Sequence, residues 1–214
     1  MRKTNYSDQV FINCPFERKY AEMFRCLVFT VLDCGLIPRC ALEIDNAAQA
    51  RLETILKIIA QCKYGIHDLS RVELDNRSGL PRFNMPFELG IFYGAKTFGG
   101  QRQRRKNCII LERDKYRHQR FISDLSGIDV VPHGNSEKKA VVAVRKWLVT
   151  ATHHVTIPDG SRILERYEKF ESKLKAICKK EGRDLLAMPF VELTVNMSDW
   201  LKLNWEIRRH LFQR

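Results

Sequence analysis

An almost wholly apolar stretch with one charged residue, PFELGIFYGA, occupies residues 86–95. It predicts a short helix that begins at Pro86, because proline loses no amide partner in a first helical turn. Glu88 then falls in the first turn, where the helix dipole favours an anion. Gly90 and Gly94 are four residues apart and leave one side of the helix bare. A buried carboxylate is unfavourable unless it is paired or used, so we predict that this helix presents Glu88 to a pocket.

Short apolar runs alternate with helical patterns on both sides of this stretch. Helical spacing of apolar residues separates five predicted strands, at Val10–Ile12, Ile37–Leu42, Tyr64–Ile66, Cys108–Leu111 and Ile128–Val131. Alternation of this kind indicates a parallel sheet with helices packed against it. We predict an α/β domain over residues 1–151, a flavodoxin-like (Rossmann-like) five-stranded parallel sheet with helices on both faces.

Residues 152–214 are predicted to form a C-terminal helical extension. Apolar residues in its first half step by three and four positions, at Ile163, Tyr167, Phe170, Leu174 and Ile177. Such a seam can pack on the α/β domain or on a second copy of the chain. Ser198 is a candidate N-cap for a last helix.

Polar and aromatic residues follow the predicted strands at one edge of the sheet. In open parallel sheets the site lies outside the carboxyl ends of the strands, where one pocket can collect residues from several connections. The candidates after the first three strands are Asn13, Cys14, Pro15, Phe16, Glu43, His67, Asp68 and Ser70. Arg82, Asn84 and Glu88 belong to the connection after the third strand.

Glu88 is the first candidate for chemistry. A carboxylate in a dry pocket suits cleavage of a C–N glycosidic bond, because positive charge grows at the sugar C1′ in an oxocarbenium-like transition state. It can attack C1′ or stabilise the cation. The alternative is a structural carboxylate that pairs with Arg82 or caps amides.

Asp68 and Phe16 are the next candidates. Asp68 can bind ribose hydroxyls or act as an acid oriented by His67, and Phe16 can stack on a base. The alternatives are an Asx-type turn between Asp68 and Ser70 and an ordinary tight turn at residues 13–16. No general base for Cys14 can be assigned from the sequence, so it is not predicted to be a nucleophile.

The charge and the cysteines restrict the classes of partner. The net charge is +12, and residues 98–120 hold eight basic residues against two acidic ones. Such a cluster favours a solvated loop or docking surface, with nucleic acid as the alternative partner. The seven cysteines include no CxxC pair, so we expect buried thiols and neither a disulfide framework nor a metal site.

No signal peptide or membrane span is predicted. The first residues lead directly into a strand, and no apolar segment approaches the roughly 18 to 20 residues needed to cross a bilayer. We expect a cytoplasmic protein. The sequence also contains no GxxxxGK[ST], GxGxxG, HExxH or GxSxG motif, which argues against a P-loop NTPase, an ordinary dinucleotide-binding enzyme and a serine hydrolase.

Three short motifs resemble one superfamily. They are Val10-Phe11-Ile12-Asn13 with Pro15-Phe16, then Gly65-Ile66-His67-Asp68-Leu69, then Phe87-Glu88-Leu89-Gly90. Together they are similar to the superfamily that joins nucleoside 2-deoxyribosyltransferases to TIR (Toll/interleukin-1 receptor) domains. The resemblance covers residues 8–150, and Glu88-Leu89-Gly90 is its closest part.

The resemblance implies a function. It implies that Glu88 is the catalytic glutamate of an N-glycosidase, with NAD, or a free nucleoside or nucleotide, as substrate and no separate cofactor. Asp68 and Asn84 would hold ribose hydroxyls. In bacteria it would imply defence by NAD depletion, switched on by a partner or by homo-oligomerisation. A non-catalytic nucleotide-sensing or scaffold module with the same pocket is the competing class.

Overall fold

The computed structural model describes residues 5–43, 50–72, 79–153 and 156–211, with side chains described up to Asn204. Five strands in this part of the chain form one parallel sheet in the order β2-β1-β3-β4-β5. They are β1 (Gln9–Asn13), β2 (Ile37–Arg39), β3 (Tyr64–Asp68), β4 (Asn107–Glu112) and β5 (Val130–Pro132). The predicted α/β, flavodoxin-like fold is confirmed.

Six α-helices lie in the described residues. They are α1 (Ala21–Asp33), α2 (Arg51–Gln61), α3 (Asn84–Phe98), α4 (Glu137–Thr152), α5 (Gly160–Lys180) and α6 (Phe190–Leu211). Helices α1 and α4 pack on one face of the sheet and α2 and α3 on the other. We call these the α1 face and the α3 face.

The strands divide their side chains between the two faces with the two-residue period of a pleated sheet. Val10 and Ile12 of β1 join the core with α1 and α4, whereas Phe11 between them packs on α2 and α3. All five residues of β1 and of β3 are buried. The centre of the sheet is therefore covered on both sides, as its short, continuous apolar runs predict.

Helices α5 and α6 form a third layer on the α1 face. Phe29 of α1 contacts the rings of Tyr167, Phe170 and Trp200 at centroid distances of 5.6 to 5.8 Å. Two buried ion pairs cross the same boundary, from Arg25 to Glu171 at 2.6 Å and from Arg166 to Asp33 at 2.8 Å. The extension thus shares its core with the α/β part.

Several predicted boundaries differ from the structure. The second strand ends at Arg39, because residues 41–43 turn into a 3₁₀ helix, and the third continues to Asp68. Ser198 is not an N-cap: it lies inside α6, where its hydroxyl donates to the carbonyl of Thr194 at 2.7 Å.

Helix α3 begins at Asn84, two residues before the predicted start. Pro86 is its third residue, which is still among the amides that lack a partner in a helix. Glu88 therefore lies in the second turn, not in the first, and the dipole argument for a carboxylate there is weakened.

Candidate functional site

The predicted site residues collect at the carboxyl edge of the sheet, around β1 and β3. After β1 the chain crosses the α1 face to reach β2, and after β3 it crosses the α3 face to reach β4. Open parallel sheets bind ligands at such a reversal of direction. The Asn13–Phe16 turn follows β1, His67 and Asp68 end β3, and Glu88 stands in the connection after β3.

The strand period separates two residues that we expected to act together. Asp68 is directed to the α1 face, where it contacts Tyr20, Ser70 and His133. His67 is directed to the α3 face, where its ring lies 4.9 Å from that of Phe92. Neighbouring residues of a strand point to opposite sides, so His67 does not orient Asp68.

Asp68 is the centre of a buried hydrogen-bond network. Its carboxylate accepts from the Ser70 amide at 2.8 Å, from the hydroxyls of Ser70 and Tyr20, and from His133 Nε2 at 3.0 Å. Burial alone would raise the pKa of Asp68, but the bonds from His133, Ser70 and Tyr20 outweigh it and lower the pKa below its usual value. Asp68 is an ionised structural anchor without solvent access.

Ser70, His133 and Asp68 do not form a catalytic triad. A triad histidine uses one ring nitrogen for the serine and the other for the carboxylate. Here the Ser70 hydroxyl and the Asp68 carboxylate both lie against Nε2 of His133, at 2.7 and 3.0 Å. Its Nδ1 accepts from the amide of Asn135 at 3.0 Å, which places the ring proton on Nε2. The arrangement holds Asp68 and has no base for Ser70.

Asn13 joins the two central strands to α3. Its side-chain amide donates to the carbonyl of Met85 at 2.8 Å and lies 3.1 Å from Nδ1 of His67. Burial, with a smaller contribution from Lys106, lowers the pKa of His67 to about 3, so its ring is neutral. Because Met85 is in the first turn of α3, Asn13 fixes where the helix that carries Glu88 begins.

Glu88 lies on the inward side of α3. It follows the buried Met85 by three residues and precedes the buried Phe92 by four, so these side chains share one helix face. Among the residues that the structure describes, none donates a hydrogen bond to its carboxylate. Burial raises the pKa of Glu88 to about 7, although the nearby charge of Arg51 opposes the shift.

The Cys14 thiol at the end of β1 is in an environment that disfavours the thiolate. Burial raises the pKa of this thiol, and the neighbouring groups Asp68, Cys40 and Glu88 raise it further. The two carboxylates of β3 and α3 therefore act on one point beside the end of β1. A thiol with this pKa stays protonated and is a poor nucleophile.

The predicted residues form a buried group and an accessible group. Those with little or no solvent access are Asn13, Cys14, Pro15, His67, Asp68 and Ser70. Those that solvent reaches are Phe16, Glu43, Arg82, Asn84 and Glu88. A ligand can touch only the accessible residues in this conformation. The buried residues can therefore only position the accessible ones.

Two of the accessible residues are held by ion pairs. The Glu43 carboxylate accepts from Arg39 at 2.7 Å and from the Cys40 amide at 2.9 Å, and so closes the turn after β2. Arg82 pairs with Glu17, which ties the Asn13–Phe16 turn to the segment before α3. Arg82 thus does not pair with Glu88, as the structural alternative for that carboxylate required.

Sequence reasoning missed Tyr20, His133 and Arg51. His133 follows β5 at the carboxyl edge, so the rule used for the other strands could have found it. Tyr20 reaches Asp68 from 48 residues away and Arg51 acts on Glu88 from α2, and no local pattern marks either.

Strand β4 divides the basic cluster of residues 98–120. Arg102, Arg104 and Arg105 precede the strand, and Arg113, Lys115, Arg117 and Arg120 follow it. A strand of this length places the two groups roughly 20 Å apart, at opposite edges of the sheet. Lys106 is buried and donates to the carbonyls of Ile59 and Cys62. The cluster is two smaller basic surfaces.

No protein-family model, curated protein or solved structure matches this chain at a significant level. In the ranges described, no three histidine, cysteine or acidic side chains gather closely enough to hold a metal ion. Nor does any helix in those ranges have the length and apolar content needed to span a bilayer. The function is therefore inferred from the geometry of the chain itself.

Proposed function

We propose that the protein is an N-glycosidase in which Glu88 acts at the sugar C1′ of NAD. One observation carries the proposal: Glu88 is half-buried at the carboxyl edge, faces inward and accepts no hydrogen bond from the described residues. The charged form of a carboxylate in that environment lacks hydrogen-bond donors, so a positive charge beside it stabilises that form. The growing charge at C1′ supplies that partner.

The reaction would proceed by heterolysis of the C1′–N bond. The bonding electron pair leaves with the nicotinamide, and the positive charge is shared between C1′ and the ring oxygen of the ribose. Ionised Glu88 either stabilises this cation or forms an ester with C1′. Water then adds to C1′, displacing the Glu88 carboxylate where an ester has formed, and loses a proton, which gives ADP-ribose, nicotinamide and one proton. No redox step or further reactant is needed.

The residues around Glu88 have positioning roles in this proposal. Asn13 holds the first turn of α3 through the carbonyl of Met85, and the Asp68 network holds the end of β3. Phe16 and Asn84, which solvent reaches, are the candidates to contact the base and the ribose hydroxyls. Asp68 is too enclosed for the ribose contact that the family resemblance implied.

The proposal extends to the biological setting that the resemblance implies. An NAD glycosidase of this kind would act in the cytoplasm, with activity controlled by homo-oligomerisation or by a partner, and in bacteria it would serve antiviral defence. Free nucleosides or nucleotides remain the alternative substrates, since a carboxylate at C1′ would act in the same way on any N-glycosidic bond.

The test is release of a free base. Purified full-length protein, at high concentration in case assembly is required, is incubated with NAD and separately with ribo- and deoxyribonucleosides and their monophosphates. Products are separated by liquid chromatography. We expect nicotinamide release from NAD and a loss of about 10²- to 10³-fold or more in Glu88→Gln, because the variant keeps the shape and removes the charge.

Glu165→Gln is the matched control, because Glu165 is an exposed glutamate on α5 paired with Lys169. It should leave the rate unchanged. Base release that persists in Glu88→Gln would overturn the proposal. Absence of release from every compound, with NAD or a nucleotide still raising the melting temperature, would favour the nucleotide-sensing module.

A further inference from the structure

A second pocket lies between the α/β part and the C-terminal extension, and Glu88 does not line it. Its volume is about 370 Å³, within the range of roughly 300 to 1,000 Å³ typical of small-molecule sites. One wall comes from the turn after β1, from α1 and from Leu42. The opposite wall comes from the segment between α5 and α6, with Asp184, Leu185, Leu186 and Met188, and from Leu193 of α6.

The walls of this pocket are mostly apolar and partly open to solvent. Phe16 and Leu42 on one side and Leu186 on the other are 38%, 41% and 43% exposed. The ring of Phe16 packs edge to face on that of Phe24, with 5.3 Å between the ring centroids, and the two rings line one side of the pocket. The apolar side chains of Phe16, Leu42 and Leu186 are exposed to water around a concave space. Covering them with an apolar molecule therefore lowers the free energy of the system.

The charged residues of the lining leave one cation for a ligand. Glu17 pairs with Arg82, Arg25 pairs with Glu171, and Asp184 accepts from the amide of Leu186 at 2.9 Å. The guanidinium of Arg18 makes no hydrogen bond or ion pair within the described residues. It is therefore available to an anion at the rim of an apolar pocket.

We propose that this pocket binds a small organic carboxylate with an apolar ring or chain. The apolar body would lie between Phe16 and Leu186, and the carboxylate would accept hydrogen bonds from Arg18. The pocket shares Phe16 with the proposed glycosidase site but does not include Glu88, and its ligand does not depend on the glycosidase reaction. Since its two walls belong to the α/β part and to the extension, its ligand would bridge them.

Methionine signals provide a direct test in the intact chain. The pocket contains Met188, whereas Met23, Met85 and Met197 are buried elsewhere and serve as internal controls. Protein labelled with ¹³C at the methionine methyl groups is titrated with 3-phenylpropanoate and octanoate, and separately with 3-phenylpropanol and 1-octanol. A Met188→Leu variant assigns the signal.

We expect the acids to shift the Met188 signal and to leave that of Met85 in place. Arg18→Gln should weaken binding of the acids by about two- to fivefold, the size of one exposed charged contact. Leu186→Trp, which fills the pocket, should abolish the shift. Val195→Trp, at an exposed residue of α6 outside the pocket, should preserve it.

Three results would overturn the proposal. Equal binding of acids and alcohols would remove the role of Arg18, and the absence of any Met188 shift would remove the site. AMP and nicotinamide are titrated as well, because Phe16 is the candidate base contact. If they move Met188 and the acids do not, the pocket belongs to the nucleotide site instead. None of these results depends on whether the protein cleaves NAD.

Discussion

Two carboxylates, one reaching each face of the sheet, have opposite environments. Asp68 on the α1 face has no exposed surface, yet hydrogen bonds from His133, Ser70 and Tyr20 hold its pKa below the usual value. Glu88 on the α3 face is less buried, yet burial raises its pKa to about 7, since no described residue donates a hydrogen bond that would offset it. The number of donors, and not depth alone, decides which carboxylate stays ionised.

The two faces differ in the same way on a larger scale. On the α1 face, α5 and α6 cover the first layer of helices, and the charges enclosed there form ion pairs. On the α3 face, α3 is the outer layer, and Phe83, Phe87 and Phe98 are more than half exposed. The α1 face is built for stability, and the α3 face retains the groups that a ligand can reach.

The largest expected effect is on stability, from Asp68→Ala. The substitution leaves Tyr20, Ser70 and His133 without their shared acceptor in a closed environment. We expect a loss of about 5 kcal/mol in the free energy of unfolding, measured by urea denaturation.

The matched variant Glu88→Ala should lower the free energy of unfolding by less than about 1 kcal/mol, because it removes no hydrogen bond within the described residues. If Glu88→Ala were the more damaging of the two, the assignment of Asp68 to structure and Glu88 to chemistry would be reversed.

The second effect concerns the outer layer of the α1 face. Glu171→Leu leaves Arg25 buried without a counterion and should cost about 3 to 5 kcal/mol of unfolding free energy. The double variant Arg25→Met/Glu171→Leu should recover most of that loss, since an apolar pair replaces a buried ion pair.

Glu165→Ala is the control for this prediction, because its pair with Lys169 is exposed and its loss should leave the unfolding curve almost unchanged. Thermal and urea unfolding of all four proteins would provide the comparison. A double variant as unstable as Glu171→Leu would contradict the account of the ion pair.

The third effect is a pH dependence of stability with a defined sign. The pKa of Glu88 is about 7 in the folded protein, above its ordinary value of 4.5, so the folded state binds the extra proton. The contribution of Glu88 to stability should therefore fall as the pH rises from about 4.5 to 7 and stay low above it. Its size should be about 1 to 3 kcal/mol.

Glu88→Gln cannot ionise and should remove this slope. Relative to the wild type, its melting temperature should be higher at pH 8 than at pH 5. Asp68 has the opposite sign, since its lowered pKa gives stability that is lost as the pH falls. A difference between wild type and Glu88→Gln that does not change with pH would show that Glu88 has an ordinary pKa.

The smallest effects come from two glycines on the α3 face. A methyl group at Gly65 would lie 2.6 Å from His67 Nε2 and 3.0 Å from the Phe92 ring, so Gly65→Ala should destabilise the protein by about 1 to 3 kcal/mol. A methyl group at Gly90 meets nothing within 4 Å, so Gly90→Ala should stabilise by about 0.5 to 1 kcal/mol through helix propensity. Unfolding curves that place both variants on the same side of the wild type would contradict this packing.

The fold could be predicted because each strand is marked by a short apolar run and each helix by apolar residues at helical spacing. The position of Glu88 beside the carboxyl edge followed from the same pattern. The partners of Asp68 could not be predicted, because Tyr20 and His133 come from the turn after β1 and the segment after β5. Only the packed chain brings them together.

Other misses have local physical causes. The apolar composition of α3 did not show how little of the helix is buried: only Met85, Leu89 and Phe92 form its inward stripe, while Gly90 and Gly94 face open space. The pairing of His67 with Asp68 ignored the two-residue period of a strand. The two-residue period was visible in the sequence. The residues that would contact His67 on one face and Asp68 on the other were not.

The shared core of α1, α5 and α6 limits how this chain can diverge in evolution. A descendant that lost the last two helices would expose Phe24 and Phe29, together with the unpaired charges of Arg25 and Asp33, on one side of α1. Such a gene could persist only with polar replacements along that side of α1. In any distant relative, the residues at these four positions would therefore indicate whether the third layer is present.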